Sequence, residues 1–372
     1  MIPAARGAPS CELTLRFIGM HSLPADVRVD GDLVGGLSGL DYDSVAREWY
    51  LVSDDRSEYG PARFFVAEMN FDAQHVIGVS LRAARRFGGG VLGSSLRAGN
   101  AELIDTESIR VARSAGELLV AGEGDEGRRT GPWLRRIDPF GHWLGDIPLP
   151  TSLIAPDLPT TRGPRPNRSL EGITYAPDGN ALWLSMEAPL LQDGAEATAS
   201  HGADVRLTRL RLADGAFTQY VYAADAARAD GSESSDNGVS EIVSLNEQEL
   251  LVLERSGTRS SDGHFRFHTR LYCANWTGAT DVAAFESLAG QSYVRVAKRL
   301  LFDFDELPGV RADNLEGMSW GPEVAPGHRS LVFVSDNNFF NDVPTQLLFF
   351  ATTALQKRAR AEKVTVRGAP MK

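Results

Sequence analysis

Acidic residues recur at two matching places in a repeated sequence pattern. The first place is the start of a short apolar segment, where the acids are Glu107, Glu171, Glu241 and Glu316. The second place is the end of the next apolar segment, where the acids are Asp54, Asp55, Glu123, Glu187, Glu254 and Asp336. In the first repeat, Ser38 takes the place of the first acid. Carboxylates in such numbers suit the binding of a cation.

Carboxylates that converge raise one another's pKa unless positive charge compensates them. Arg56 and Arg255 directly follow acids of the second group and could supply part of that charge. A hard divalent cation with oxygen ligands, Ca²⁺ first, would supply the rest. Asn314 lies just ahead of a glutamate and adds a neutral oxygen. The predicted metal ligands are Glu107, Glu123, Glu171, Glu187, Glu241, Glu254, Asn314, Glu316 and Asp336.

The elements that must position these acids are short β-strands. Each repeat holds apolar, β-branched and aromatic runs separated by turn residues, which is typical of strands linked by hairpins. Four strands per repeat, arranged radially, predict an all-β propeller of four-stranded antiparallel blades. The repeats begin near residues 34, 102, 168, 237 and 313, so the direct count is five blades, with six as the alternative.

The fifth repeat lacks a fourth strand, and the N-terminal segment 12–32 carries an apolar run that reads like the missing one. We therefore expect the N-terminal strand to close the ring, which removes an exposed sheet edge. The whole chain, 1–372, is predicted to form a single propeller domain, with a charged tail over residues 355–372. In this arrangement both rows of acids lie on one face, at one mouth of the axial channel.

Composition limits the classes of partner. The formal net charge is −11, which argues against a nucleic-acid binder because such a protein needs a basic surface. No apolar run is long enough for a membrane span, and no signal peptide is visible at the N-terminus. The two cysteines, Cys11 and Cys273, are expected to be buried thiols, with one disulfide as the alternative.

Five short motifs together resemble the phytase-like propeller family, also called the esterase-like activity of phytase family. They are residues 35–43 (GGLSGLDYD), 53–57 (SDDRS), 170–174 (LEGIT), 314–318 (NLEGM) and 334–338 (VSDNN). The resemblance covers about residues 33–350. It implies a bacterial, usually exported propeller whose recurrent Glu and Asp residues carry phosphoester or ester hydrolysis. The location it implies is periplasmic or secreted, while the missing leader leaves a cytoplasmic location open.

Three functions compete. The leading hypothesis is a calcium-dependent hydrolase of phosphoesters or related esters, with a small anionic substrate. In it, the predicted catalytic residues are Asp54, Asp55, Glu171 and Glu316, and Arg56 and Arg255 bind the substrate. The second hypothesis is a lactonase or esterase that resembles the gluconolactonase-like propellers. The third is a non-catalytic propeller that calcium stabilises and that binds a protein or a glycan.

Overall fold

The fold is an all-β propeller of five four-stranded antiparallel blades, as predicted. The computed structural model describes residues 11–88, 105–112, 116–124, 130–154, 161–228, 234–259 and 265–353. Within these ranges the helical segments are two single 3₁₀ turns, Thr151–Leu153 and Phe304–Glu306. None of the described helical segments has the length and apolar character to cross a bilayer. The predicted tail, 355–372, lies outside the described residues.

Each blade is a meander that starts at the propeller axis, and the strands are numbered β1 to β22 along the chain. Blade 1 comprises β4 (Leu37–Asp43), β5 (Glu48–Ser53), β6 (Arg63–Phe71) and β7 (Val76–Arg86). Blade 2 comprises β8 (Thr106–Val111), β9 (Leu118–Gly122), β10 (Trp133–Ile137) and β11 (Trp143–Asp146). Blade 3 comprises β12 (Leu170–Tyr175), β13 (Ala181–Met186), β14 (Ala203–Arg211) and β15 (Phe217–Ala224).

Blades 4 and 5 follow the same order, except for the last strand of the ring. Blade 4 comprises β16 (Ser234–Asn246), β17 (Glu249–Arg259), β18 (Phe265–Asn275) and β19 (Ala297–Asp303). Blade 5 comprises β20 (Leu315–Ala325), β21 (His328–Ser335), β22 (Thr345–Thr352) and the N-terminal strand β1 (Leu15–Leu23). A short hairpin, β2 (Arg28–Val29) and β3 (Asp32–Leu33), connects β1 to blade 1.

The N-terminal strand closes the ring, as the sequence predicted. Strand β1 pairs antiparallel with β22 from Leu15 opposite Thr352 to Leu23 opposite Thr345. This pairing satisfies backbone groups that would otherwise form an open edge. The expectation of free thiols is wrong, because Cys11 and Cys273 form a disulfide that ties the N-terminal segment to β18. The two cysteines are 262 positions apart, so only the folded ring brings them together.

The apolar core lies between neighbouring blades, and the axis itself is polar. The first strands of the blades contact one another in cyclic order: β4, β8, β12, β16, β20 and again β4. The Arg110 guanidinium lies among these strands and donates to the carbonyl oxygens of Leu40, Ile242 and Met318, which belong to three other blades. It also pairs with Glu241 at 2.6 Å, and both side chains are buried. Arginine and glutamate therefore fill the axis below the mouth.

Candidate functional site

A β-bulge places one side chain of each first strand at the mouth of the axis. In every blade the pairing of the first and second strands slips by one residue near the start of the first strand. A bulge leaves its extra residue out of the ladder and re-aims its side chain. The bulge residues are Ser38, Glu107, Glu171, Ser240 and Glu316.

The end of each second strand supplies the matching residue. In four blades, the backbone N–H of this residue donates to a carbonyl just ahead of the neighbouring first strand, as Asp54 donates to Gly36 at 2.8 Å. In blade 4, Arg255 pairs with Gly238 at the same place in the ladder. The equivalent residues of the five blades are therefore Asp54, Glu123, Glu187, Arg255 and Asp336.

Blade 4 departs from the predicted alignment by one residue. Ser240, not Glu241, occupies the bulge, and Arg255, not Glu254, occupies the matching position. Glu241 instead lies in the axis with Arg110. Glu254 accepts hydrogen bonds from the Tyr222 hydroxyl at 2.5 Å and from Lys298 Nζ at 2.6 Å. Neither glutamate belongs to the carboxylate groups at the mouth that the structure describes.

Seven of the other predicted acids converge with Asp105 in three neighbouring groups. In each group, three carboxylate oxygens lie within 4.8 Å of one another, close enough to share one cation. The groups are Asp54 with Glu316 and Asp336, Asp105 with Glu107 and Glu123, and Glu123 with Glu171 and Glu187. Since Glu123 belongs to two groups and Glu171 interacts electrostatically with Glu316, the eight carboxylates form one continuous anionic cluster, here called the mouth cluster.

Burial and mutual repulsion raise the pKa values of six members of the mouth cluster. Removal of water is the larger cause, followed by the charges of neighbouring acids, and together they hold the pKa values of Asp54, Glu107, Glu123 and Glu171 well above the ordinary range. Burial and neighbouring Asp336 raise the pKa of Glu316 to about 8 against the lowering effect of Arg255. Burial raises the pKa of Asp336 to about 6. Without further positive charge, these carboxyl groups favour their protonated forms.

Three arginines contact the cluster but do not match it in number. Arg255 donates to Asn314 Oδ1 at 2.6 Å, to Glu316 Oε1 at 2.9 Å and to Glu187 Oε1 at 3.0 Å. Arg56 donates to Asp105 Oδ1 at 2.8 Å, and 39% of its side chain remains exposed. Arg168 lies 3.7 Å from Glu187. Of the two arginines predicted to bind substrate, Arg255 is thus an internal counterion, while Arg56 lies at the solvent-facing edge.

Asp55 lies away from the mouth cluster. Its Oδ2 accepts a 2.6 Å hydrogen bond from Arg63, and both side chains are fully buried. Its Oδ1 accepts from the backbone N–H groups of Glu58 and Tyr59. Asp55 therefore holds a turn, whereas its neighbour Asp54 faces the cluster.

Asp105 is a cluster residue that the sequence reading missed. It stands two residues ahead of Glu107, as Asn314 stands two residues ahead of Glu316. Asn314 is predicted as a neutral oxygen ligand because it lies just ahead of Glu316. In the structure its Nδ2 donates to Glu316 and Asp336, and its Oδ1 accepts from Arg255. The same offset applied to blade 2 would have found Asp105.

A family model described as "Phytase-like: Esterase-like activity of phytase" matches residues 32–339. The chain belongs to this family. Membership agrees with the resemblance of its motifs, and it supports a hydrolase-type propeller with carboxylate clusters compatible with a metal ion. A search of curated proteins finds no match.

Several solved structures are similar to this chain at low sequence identity. An endo-arabinase from Bacteroides thetaiotaomicron VPI-5482 is 12% identical, with 90% of this chain and 96% of that chain covered and a TM-score of 0.44. A thermostable family-43 glycoside hydrolase is 9% identical, with 87% and 92% covered and a TM-score of 0.45. A putative 6-phosphogluconolactonase from Bacteroides uniformis ATCC 8492 is 11% identical, with 80% and 98% covered and a TM-score of 0.31.

Proposed function

We propose that this protein is a calcium-dependent hydrolase of phosphoesters or related esters, and that the mouth cluster is its active site. The observation that carries the proposal is the convergence of eight carboxylates on three arginines in a partly buried mouth. Such an excess of negative charge is costly to bury, and oxygen ligands of this kind suit Ca²⁺. Family membership supports the same reaction class.

The chain's own residues would divide the work by their position. Calcium would be held by the carboxylate oxygens of Glu171, Glu187, Glu316 and Asp336. Further ligands would be Glu107 and Glu123, in the group that they form with Asp105. A bound divalent cation would supply the positive charge that an anionic phosphoester requires, and it would acidify the attacking water. Arg56 would bind a substrate oxygen from the solvent-facing edge.

Asp54 is our choice for the proton acceptor. It is the half-buried member of its group, whereas Glu316 and Asp336 are buried. Its partial exposure lets water reach the carboxylate, as a proton acceptor requires. Asp55 has no such role in this proposal, since Arg63 and two backbone N–H groups occupy its carboxylate.

The test compares Glu171→Gln and Glu316→Gln with the wild-type chain. Calcium affinity is measured by titration calorimetry, and hydrolysis is followed with 4-nitrophenyl phosphate. We expect each substitution to weaken calcium binding at least 10-fold and to lower kcat/KM by about 10²-fold or more. Glu247→Gln is the matched control, because Glu247 is exposed in the β16–β17 turn at the opposite end of blade 4.

Three results would contradict the proposal. Retention of calcium binding and hydrolysis in both variants would remove the cluster from the mechanism. Hydrolysis of lactones but not of phosphoesters would favour the lactonase. Calcium binding that stabilises the chain without hydrolysis of any ester or lactone would favour a non-catalytic propeller.

The location we propose is the periplasm or the exterior of the cell. The Cys11–Cys273 disulfide supports it, because such bonds persist in oxidising compartments.

A further inference from the structure

An aromatic pair stands directly beside the mouth cluster. The rings of Tyr59 and Phe339 stack with centroids 4.3 Å apart and planes 8° apart. Tyr59 forms the outer ring, and 54% of its surface is exposed. Since one face of Tyr59 stacks on Phe339, the exposed part of its ring is available to stack on a ligand.

Gly36 brings this pair into contact with the carboxylates. A Cβ built on Gly36 would collide with Asp54 Oδ1 and would lie 2.5 Å from the Phe339 ring. The ring and the carboxylate therefore share the space above one glycine, which has a φ of +60°. A side chain at position 36 would separate them. The aromatic pair and the proposed proton acceptor thus form one continuous surface.

The backbone under Phe339 is held in an unfavourable conformation by residues of the site. Asn338 and Phe339 have φ values of 48° and 53°, a region that bulky L residues rarely adopt. Asp336 Oδ1 accepts from the Asn338 N–H at 2.7 Å. Asn337 Oδ1 accepts from the N–H groups of both Phe339 and Gly36. Such strain persists where the surroundings impose it, and it is concentrated at functional sites.

A buried ion pair supports both aromatic residues from below. Asp55 accepts from the Tyr59 N–H at 3.2 Å and from Arg63 at 2.6 Å. The Arg63 guanidinium lies 5.9 Å from the centre of the Phe339 ring, at cation–π distance. Further bonds from Arg63 to the Leu33 carbonyl fix its position. The acid that sequence analysis assigned to catalysis thus positions the aromatic pair.

We propose that Tyr59 and Phe339 form a stacking subsite for an aromatic ring in the leaving group of the substrate. The inference rests on the proposed function, because it places an ester beside the mouth cluster. The ring would lie against the open face of Tyr59 while the phosphoryl or acyl group reaches the carboxylates. The preferred substrates are therefore aryl esters rather than small alkyl esters.

The test measures binding of two anions that the enzyme cannot hydrolyse, phenylphosphonate and methylphosphonate, by titration calorimetry in the presence of calcium. We expect wild type to bind phenylphosphonate more tightly, and Tyr59→Ala to weaken that binding by about 2- to 10-fold. Binding of methylphosphonate should not change. Tyr59→Phe keeps the ring and should retain the preference, which separates stacking from any role of the hydroxyl group.

Phe140→Ala is the matched control, because Phe140 is an exposed aromatic residue in the β10–β11 turn of another blade. It should leave both affinities unchanged. The subsite alone is overturned if the protein hydrolyses phosphoesters but wild type binds both phosphonates equally, or if Tyr59→Ala weakens both to the same extent. A protein that binds neither phosphonate and hydrolyses no phosphoester overturns the proposed function together with the subsite.

Discussion

At the scale of single residues, one position of the repeat carries a positive charge in blade 4 where the other blades carry an acid. Four blades place an acid at the end of the second strand, and blade 4 places Arg255 there. The surrounding acids raise the pKa of Arg255, so it stays charged despite its burial. Arg255 hydrogen-bonds to Glu187 and Glu316 in the two neighbouring blades. It therefore compensates negative charge on one side of the mouth cluster, and the opposite side stays anionic.

We predict that Arg255→Gln makes the calcium-free protein less stable and more responsive to calcium. Removing one member of a buried pair costs about 3 kcal/mol, because its partners lose their compensating charge. The ring also gains one net negative charge, so calcium should restore more stability than it does in the wild type. Denaturant unfolding with and without calcium measures both effects.

Arg259→Gln is the control, since Arg259 is exposed on the same strand and lies over the Phe265 ring instead of the acids. It should change stability by less than about 0.5 kcal/mol. Equal losses in the two variants would show that Arg255 does not act as the counterion of the ring.

At the scale of elements, the sequence pattern predicts the blades and, in four of them, the residues at the bulge and at the end of the second strand. It misses Asp105 in blade 2 and the register of blade 4. The apolar runs of β16 and β17 are compatible with two alignments that differ by one residue. The alignment that the structure does not adopt would place Glu241 and Glu254 at the mouth. The bulge at Ser240 decides between them through backbone hydrogen bonds, which the side-chain pattern does not encode. The Cys11–Cys273 pairing likewise depends on ring closure.

In blades 1, 3 and 5 the residue after the bulge is a glycine, where the first strands approach one another closely. A Cβ on Gly172 would lie 2.7 Å from Ser185 Oγ, 2.8 Å from the Ile242 nitrogen and 2.9 Å from Glu241 Oε1. We predict that Gly172→Ala destabilises the protein by about 1–3 kcal/mol, because the backbone at Ile242 cannot move away without disturbing β16. Thermal and denaturant unfolding measure the loss.

Gly78→Ala is the matched control in an outer strand, β7, where a new Cβ meets nothing within 4 Å. Its stability should equal or slightly exceed that of the wild type, because alanine restricts the unfolded chain. If Gly172→Ala is as well tolerated as Gly78→Ala, the close approach at the axis is not a constraint on the fold.

At the scale of the whole molecule, the net charge of −11 is unevenly placed. Eight acids of the mouth cluster meet at one end of the axis, and the Arg110–Glu241 pair fills the axis below them. The Arg110 guanidinium also hydrogen-bonds to carbonyl oxygens of blades 1, 2, 4 and 5, so it joins the first strands across the ring. The repulsion between the carboxylates is therefore concentrated at one end of the axis. The stability of the fold should depend on how many of these carboxyl groups are ionised.

This arrangement predicts that the calcium-free protein loses stability as the pH rises from about 5 to 8. The folded-state pKa values of Asp336 and Glu316 are about 6 and 8, above their ordinary values of 3.8 and 4.5. Over this interval the folded chain holds protons that the unfolded chain has released, so stability falls as pH rises through these values. In the proposed function calcium binds the ionised carboxylates, so its stabilising effect should be larger at pH 8 than at pH 5.

Thermal unfolding of the metal-stripped protein at pH 5 and pH 8, with and without added calcium, measures both trends. In Glu316→Gln the group that titrates near pH 8 is absent, so the decline between pH 5 and 8 should become shallower, while the exposed-site variant Glu247→Gln should keep the wild-type slope. A calcium-free protein that gains stability between pH 5 and 8 would mean that the mouth carboxyls ionise at ordinary pH values. In that case the cluster would not repel itself strongly enough to require a cation.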